Sequence, residues 1–458
     1  MVRSLLKSQL TEGLRQLEQH TKHMKTLNKI PKKEPKMLIG IVMPEDRQLE
    51  IDIKINGSDF LITLDKNEMI PFHQEISIRQ LKNGLFVNDT HCNEIYIQSQ
   101  SRKISNNIYL NPIKAGRGFH WQKSIPIQVL GDIRISSFES FLFVVNTIYL
   151  EDYLMCVATS EMSGKCPKAL LEAQTIAARS WILAAEEKKH KHLGLDACND
   201  DCCQRYQGIT NLNKESIKAA NNTRGRVLVH NEIICDARYS KSCGGITEDN
   251  NNVWDMNQKP YLCSVYDGKA SKEYDVSNDI SFRKWLLDET SSYCSPNFIA
   301  EKNLDKFLGN VDKKGNYYRW SISYDNNELI SLIFEKTGKK FKTIINLKTT
   351  KRGKSGRVLS LDIIGVLNDN TNFTLAIESE YEMRRILHPE FLYSSAFTIE
   401  SNSEHNNNTN RFTLKGAGWG HGVGLCQIGA LGMALDGEKT EEILLHYYQS
   451  SRLRNLYE

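Results

Sequence analysis

No run of 18 apolar residues occurs anywhere in the 458-residue chain, so no segment is long and apolar enough to cross a membrane as a helix. Charge of one sign is not in excess either: 59 Lys and Arg face 55 Asp and Glu, a net +4. No basic stripe interleaved with aromatics accompanies it, which excludes a nucleic-acid partner. The opening stretch MVRSLLKSQLTEGLRQLEQHTKHMKTLNKIPKKEPK lacks the 7–15-residue apolar core and small-residue cleavage site of a secretory signal. Gly-Lys-Ser/Thr, the end of a phosphate-binding loop, is missing, as are a HExxH motif and any three-histidine set with an open position. No nucleotide or organic cofactor is expected. Internal repeats are absent. Cysteine is plentiful, but eleven is an odd number concentrated between 156 and 263, which argues against a pure disulfide framework.

What is present has ordinary globular composition, with 40% apolar and 25% charged residues, in a chain long enough for two or three domains or one elaborated domain. Residues 1–36 read as an exposed amphipathic helix and a basic, proline-containing linker. From 37 to 145, segments such as IGIVM, LEIDIKI, DFLITL and EIYIQS alternate apolar and polar residues between Gly, Asn and Asp, which predicts a β-rich, antiparallel N-terminal region. Residues 146–458 read as a further domain, richer in helix. It opens with the longest helical pattern of the chain, broken at Ser163-Gly164, with Pro167 suited to the first position of the second helix. A further helix is predicted over roughly 213–222 and a hairpin at RVLVHNEIICDARYS. An α/β insertion at about 278–395 mixes helix-like FRKWLLDE and NELISLIFEKTG with strand-like RWSISY, RVLSLDIIGVL and NFTLAIES, and SNSEHNNNTN (401–410) reads as a solvent loop. The fold class is therefore α+β, a mixed helical core with antiparallel β-rich N-terminal and insert regions.

One carboxylate breaks the pattern. In the helix over 149–162, Leu150, Tyr153, Leu154, Val157 and Ala158 form an apolar stripe, and the next position on it is Glu161. A carboxylate where a leucine belongs is costly to keep ionised without a partner, which suits a proton donor. The pattern alone fits at least as well a fraying helix end, half solvated, or a pair with Arg179. The following helix carries two more polar residues on its inner side: Gln174, in line with Leu170, Ala177, Ala178 and Trp181, and Arg179, between Ile176 and Leu183. An Arg on an apolar face binds either a polar ligand or a buried carboxylate such as Glu161 or Glu172.

His192, Cys198, Cys202 and Cys203 offer four soft ligands within twelve residues, a mixture that tetrahedral zinc accepts. Four protein ligands would close the site and make the metal structural. A Cys198–Cys203 disulfide, or free thiols, are the alternatives.

Taken in order, YLEDYL, SEM, ALLEAQTIAARSW, CNDDCCQRYQG, CDARYSKSCGG, NNVW, PYL and GAGWGHGVGLCQIGA resemble the stage II sporulation protein D (SpoIID/LytB) family of peptidoglycan lytic transglycosylases over roughly 145–450. The resemblance implies cleavage of the β-1,4 bond between N-acetylmuramic acid and N-acetylglucosamine without water, leaving a 1,6-anhydromuramoyl end. It implies that Glu161 is the catalytic residue, that Arg179 contributes to activity, and that Tyr261 contacts substrate. The family often has a Lys just after the Pro-Tyr-Leu segment, where this chain has Cys263. Some members hold zinc with a His-x5-Cys-x4-His-Cys loop; here Cys202 stands at the second His position, with one residue fewer before it. The name LytB implies a second role, a non-catalytic glycan-binding module that enhances a cell-wall amidase. Either role places the protein in the cell envelope, although the N-terminus shows no export signal.

The stretch 416–432 holds seven glycines, five of them alternating from Gly416 to Gly424. Two arrangements suit it. The loop can lie against a glycan strand, with Trp419 stacked on a sugar and His421 and Gln427 reaching hydroxyls or amides. Alternatively it packs against the catalytic helix and positions Glu161 without touching substrate.

Overall fold

Along Glu50–Asn56, Ile51, Ile53 and Ile55 are buried while Asp52 and Lys54 face out, the period-two signature of a half-buried strand. The same alternation in Glu75–Leu81 and Glu94–Ser99 drives sheet formation through the N-terminal third. The structure is a computed structural model that describes residues 31, 33–65, 68–69, 75–82, 84–87, 90–118, 122–269, 274–288, 291–309, 315–403 and 410–457. The helix read over the first thirty residues lies outside these, as do 404–409 of the expected solvent loop.

The chain forms two compact units: Met1–Gly164 with Ala178–Asp236 and Leu453–Glu458, and Lys165–Ala177 with Ala237–Arg452. Both helices and antiparallel sheets build them, which makes the fold α+β.

In the first unit, a seven-stranded sheet runs in the order Ala197–Cys198, Lys36–Val42, Phe141–Tyr149, Asp132–Phe138, Glu94–Ser99, Phe60–Leu64, Glu68–Met69. A six-stranded sheet runs Lys123–Val129, Asn107–Ala115, Glu50–Asn56, Glu75–Leu81, Gly84–Val87, Thr90–Cys92. At the edge of the larger sheet, Ala197–Cys198 pairs in parallel with Lys36–Val42, placing Gly40 opposite Cys198. Helix α1 (Leu150–Glu161) follows directly from Phe141–Tyr149. Helix α2 (Lys168–Ala184) begins just after Pro167 and belongs to this unit from Ala178 on, and α3 (Lys214–Asn222) is capped by Asn213, whose side chain accepts the Ser216 N–H. A hairpin, Arg226–His230 with Ile233–Ile234, turns through Asn231 and Glu232, both at positive φ (47° and 64°). Two successive left-handed residues are the geometry that matches strand twist in a two-residue turn. The third strand of this small sheet, Arg452–Asn455, comes from the far end of the chain, and Leu456 and Tyr457 bury themselves against Val227 and Val229.

The second unit contains α4 (Asp279–Leu287), α5 (Asn326–Thr337), α6 (Glu380–Ile386), α7 (Gln427–Leu435) and α8 (Thr440–Tyr447). Two three-stranded sheets, Arg319–Asp325/Asn410–Ala417/Phe397–Ser403 and Phe341–Arg352/Val358–Leu367/Asn372–Ile377, share one core around Trp320, Leu329, Ile333, Phe341, Phe397 and Phe412. Helix α5 has a capping box, Asp325 with Glu328, and ends at Gly338 in the left-handed region (φ 71°). A two-stranded parallel ribbon, Tyr239–Ser240 with Leu425–Cys426, leads the glycine-rich stretch into α7.

Candidate active site

Helix α1 is buried nearly all round, not along one stripe: Glu151, Met155, Cys156, Thr159 and Ser160 are covered along with Leu150, Tyr153, Leu154, Val157 and Ala158. Burial of Thr159 and Ser160 is tolerable because both hydroxyls turn back onto the Cys156 carbonyl, at 3.2 and 2.9 Å. Glu161 ends this helix at 8% exposure, and the chain then swings to extended geometry at Met162.

The Glu161 carboxylate is held from outside the helix. Its Oε1 accepts the Arg205 backbone N–H at 3.0 Å, and two residues on the Gln207 N–H donates to Ser160 Oγ at 3.2 Å. Between these, Tyr206 is wholly buried, its ring 5.0 Å from that of Tyr153 and its hydroxyl on Asn146 Oδ1 at 2.9 Å. Tyr153 in turn donates to Gln204 Oε1 at 3.0 Å. The segment Gln204–Gln207 is thus laid along α1 by four successive anchors, and its outcome is a fixed carboxylate. Arg205 keeps its own side chain on Asp201, at 2.8 Å.

Immediately upstream, Cys198, Cys202 and Cys203 gather with His190, their ligand atoms all within 4.8 Å of one another. Cys198 Sγ and Cys202 Sγ lie 3.1 Å apart, and His190 Nε2 is 3.5 Å from Cys202 Sγ. The thiols are free, so the Cys198–Cys203 disulfide is not formed. The histidine differs from the one expected: His192 is exposed on the short 3-10 turn Lys191–Leu193, and His190, at the cap of that turn, is the residue that reaches the sulfurs. Counting along a sequence does not show which of two histidines a single tight turn aims inward. The loop is tied down by Asp200, which accepts the Gly116 and Arg117 N–H groups at 2.8 and 2.5 Å.

Of the two partners expected for Arg179, a polar ligand or a buried carboxylate, the structure gives it a carboxylate. It is fully buried, with Nε and Nη2 on the two oxygens of Glu151 at 3.0 and 2.6 Å and Nη1 on the Arg226 carbonyl at 3.0 Å. Glu151 Oε1 also accepts the Tyr457 hydroxyl and the Gly225 N–H. The partner of Arg179 is therefore Glu151, not Glu161 or Glu172.

The remaining expected residues, Gln174, Tyr261, Trp419, His421 and Gln427, belong to the second unit. Gln174 and Gln427 are both buried and meet each other, Gln427 Nε2 donating to Gln174 Oε1 at 3.3 Å. Tyr261 is buried at 8% exposure. Trp419 is stacked on Tyr393, with centroids 4.5 Å apart and planes at 19°, and Tyr317 lies 4.7 Å away. These two rings cover part of its aromatic surface, and the residue stays half-buried. Burial first, then the guanidiniums of Arg238, Arg357 and Arg384, holds the His421 imidazole well below the usual histidine range. It is neutral, and its Nδ1 accepts the Val423 N–H at 3.1 Å.

The alternating glycines are explained by the same packing. Gly418, Gly420, Gly422 and Gly424 all have φ between 71° and 97°. A Cβ on Gly424 would sit 2.0 Å from the Arg238 carbonyl oxygen, and one on Gly422 2.1 Å from the Arg357 guanidinium carbon. The loop needs left-handed backbone and close approach together, and only glycine supplies both.

Comparison with known proteins follows the same segments. The family model described as stage II sporulation protein matches residues 139–230, which hold α1, α2 and the cysteine loop. A second, described as a domain of unknown function (DUF8618), matches residues 248–424. An uncharacterized protein of Brachyspira hyodysenteriae is 27% identical over 322 residues, 70% of this chain and 71% of that one. The amidase enhancer of Bacillus subtilis is 25% identical over 307 residues, 65% of this chain but only 39% of the enhancer's length. Stage II sporulation protein D of the same organism is 24% identical over 328 residues, 68% of this chain and 75% of that one.

Proposed function

From a chain that belongs to the stage II sporulation protein D (SpoIID/LytB) family, we propose a cell-wall function in the envelope: lytic cleavage of peptidoglycan glycan strands by Glu161. The observation that carries this reading is the placement of Glu161, a carboxylate at the end of an otherwise covered helix, oriented by the Arg205 N–H. A hydrolytic glycosidase needs two carboxyl groups at a set separation. A lytic transglycosylase needs one. Protonated Glu161 gives its proton to the glycosidic oxygen as the bond to C1 of the muramoyl residue breaks. The sugar's own 6-hydroxyl then bonds to C1, and the Glu161 carboxylate takes the hydroxyl proton. The products are a 1,6-anhydro end and a free 4-hydroxyl, no water is consumed, and the acid is regenerated.

His190, Cys198, Cys202 and Cys203 have the donor set of a closed structural zinc site, with their ligand atoms within 4.8 Å of one another. A zinc there would add rigidity to the loop that delivers Gln204–Gln207 to α1, and no step of the chemistry passes through it. Arg179 then acts as a positioning residue that fixes α2 against α1.

Digestion of purified glycan strands, analysed by mass spectrometry, tests the proposal. Wild type should release anhydromuramoyl ends and Glu161→Gln none, with the melting temperature of the variant unchanged or slightly raised. Retained turnover in the variant would remove Glu161 from the role. A second reading, enhancement of an amidase by a non-catalytic glycan-binding module, is favoured by the similarity to the amidase enhancer. It predicts strand binding without anhydro ends and acceleration of an added cell-wall amidase, unaffected by Glu161→Gln.

A further inference from the structure

A second group of metal-ligating side chains lies in the second unit. Cys243, Asp267, Cys294 and Cys426 come from four separate segments, all four are buried, and their ligand atoms lie within 4.8 Å of one another. We propose that these four residues hold a structural zinc ion, distinct from the loop of His190 and Cys198, that locks the start of α7 to the segments carrying Cys243 and Cys294.

The donor set is right for the ion. Three sulfurs and one carboxylate oxygen give four tetrahedral ligands and leave no open position, the arrangement of a structural site. With a zinc–sulfur distance of about 2.3 Å, a tetrahedron has sulfur–sulfur edges of about 3.8 Å. Cys243 Sγ and Cys294 Sγ are 3.8 Å apart. These thiols are free.

Backbone N–H groups point at two of the three sulfurs. Cys426 Sγ accepts two backbone N–H groups, from Cys243 at 3.1 Å and Gly429 at 3.3 Å, and Cys243 Sγ accepts the Gly245 N–H at 3.3 Å. Amides aimed at sulfur offset negative charge, as second-sphere donors do around metal-bound cysteine. The carboxylate is prepared in the same way. Asp267 Oδ1 accepts the Tyr447 hydroxyl at 2.6 Å, and Oδ2 accepts the Cys294 N–H at 3.0 Å. Among the described residues no Lys, Arg or His forms an ion pair with Asp267, which is fully buried. A carboxylate and three sulfurs so enclosed call for a cation, and a divalent metal is the one the geometry accepts. Binding displaces the thiol protons to solvent, so the site fills as thiolates.

Backbone around the group is cut to size. A Cβ on Gly429 would lie 2.5 Å from Asp267 Oδ1 and 2.3 Å from the Tyr447 hydroxyl, so α7 approaches the carboxylate as closely as backbone can.

The test counts metal in the full chain and does not depend on glycan cleavage. Wild type grown with zinc and purified without chelator should carry about two zinc ions, one in each group. The double variant Cys202→Ser/Cys203→Ser should keep one, and adding Cys243→Ser/Cys294→Ser should leave none. Cobalt exchanged into the Cys202/Cys203 variant should give tetrahedral cobalt bands with thiolate charge transfer. Asp267→Asn, close in shape to the native residue, should release its metal to a competing chelator at least tenfold more readily than wild type. Should the loop variant fail to fold, the difference between wild type and Asp267→Asn decides the matter. A folded loop variant free of metal overturns the proposal, and so does a Cys243–Cys294 disulfide found by mass spectrometry of the non-reduced protein.

Discussion

At Arg179 the chain buries an entire guanidinium, and Glu151 is what makes that tolerable. The pair is bidentate and is completed by the Arg226 carbonyl and by the Tyr457 hydroxyl on the Glu151 side. Removing one partner leaves the other charge desolvated, so Arg179→Ala should lower the unfolding free energy by about 3–5 kcal/mol. Chemical denaturation followed by fluorescence measures it, and a midpoint within error of wild type would refute the structural role. The sequence points to Arg179 because a charge on an apolar face is anomalous, and to Glu161 for the same reason. It does not point to Glu151, which lies in the first turn of α1, where an acidic residue is already explained by the helix dipole. Arg205 is missed for a different cause: its contribution to Glu161 is a backbone N–H, which any residue would supply.

Among elements, the glycine-rich loop separates two effects that usually occur together. Gly338 and Gly424 share φ 71°, but nothing lies within 4 Å of a Cβ at Gly338, whereas at Gly424 the Arg238 carbonyl oxygen is 2.0 Å away. Gly338→Ala should therefore lose only the left-handed strain, about 1–2 kcal/mol, and Gly424→Ala distinctly more. Thermal unfolding of the two variants compares them directly; equal losses would mean that the Arg238 contact yields freely. The loop's chemistry is only half legible in the chain. Glycine at every second position announces positive φ and close approach, but it does not say whether the approaching group is a sugar or the protein's own Arg238 and Arg357. Strands read better, because alternation such as Ile51, Ile53, Ile55 is imposed by the sheet itself. The cysteines read worst: Cys243 and Cys426 are in contact at a separation of 183 residues, and no local spacing rule reaches that far.

For the molecule as a whole, the first unit is discontinuous in sequence. Its small sheet, Ile233–Ile234 with Arg226–His230, takes its third strand from Arg452–Asn455, and Tyr457 closes the buried ion pair of Glu151. Deleting residues 453–458 removes the buried side chains of Leu456 and Tyr457. At about 1.5–3 kcal/mol for each large apolar side chain, the first unit should lose roughly 3–6 kcal/mol. Limited proteolysis should then cut within residues 31–236 at protease levels that spare the intact chain; identical digestion patterns would show the last strand to be dispensable.

That return of the chain has a consequence in time. A ribosome releases residues 226–230 well before it reaches 452, and residues 237–452 must be made in between. At about 5–20 residues per second the interval is on the order of 10–40 s. Throughout it the nascent first unit presents Arg226–His230 as an open strand edge and holds Glu151 without its tyrosine. Until residues 453–458 emerge, the rest of the first unit waits for them, nearly complete.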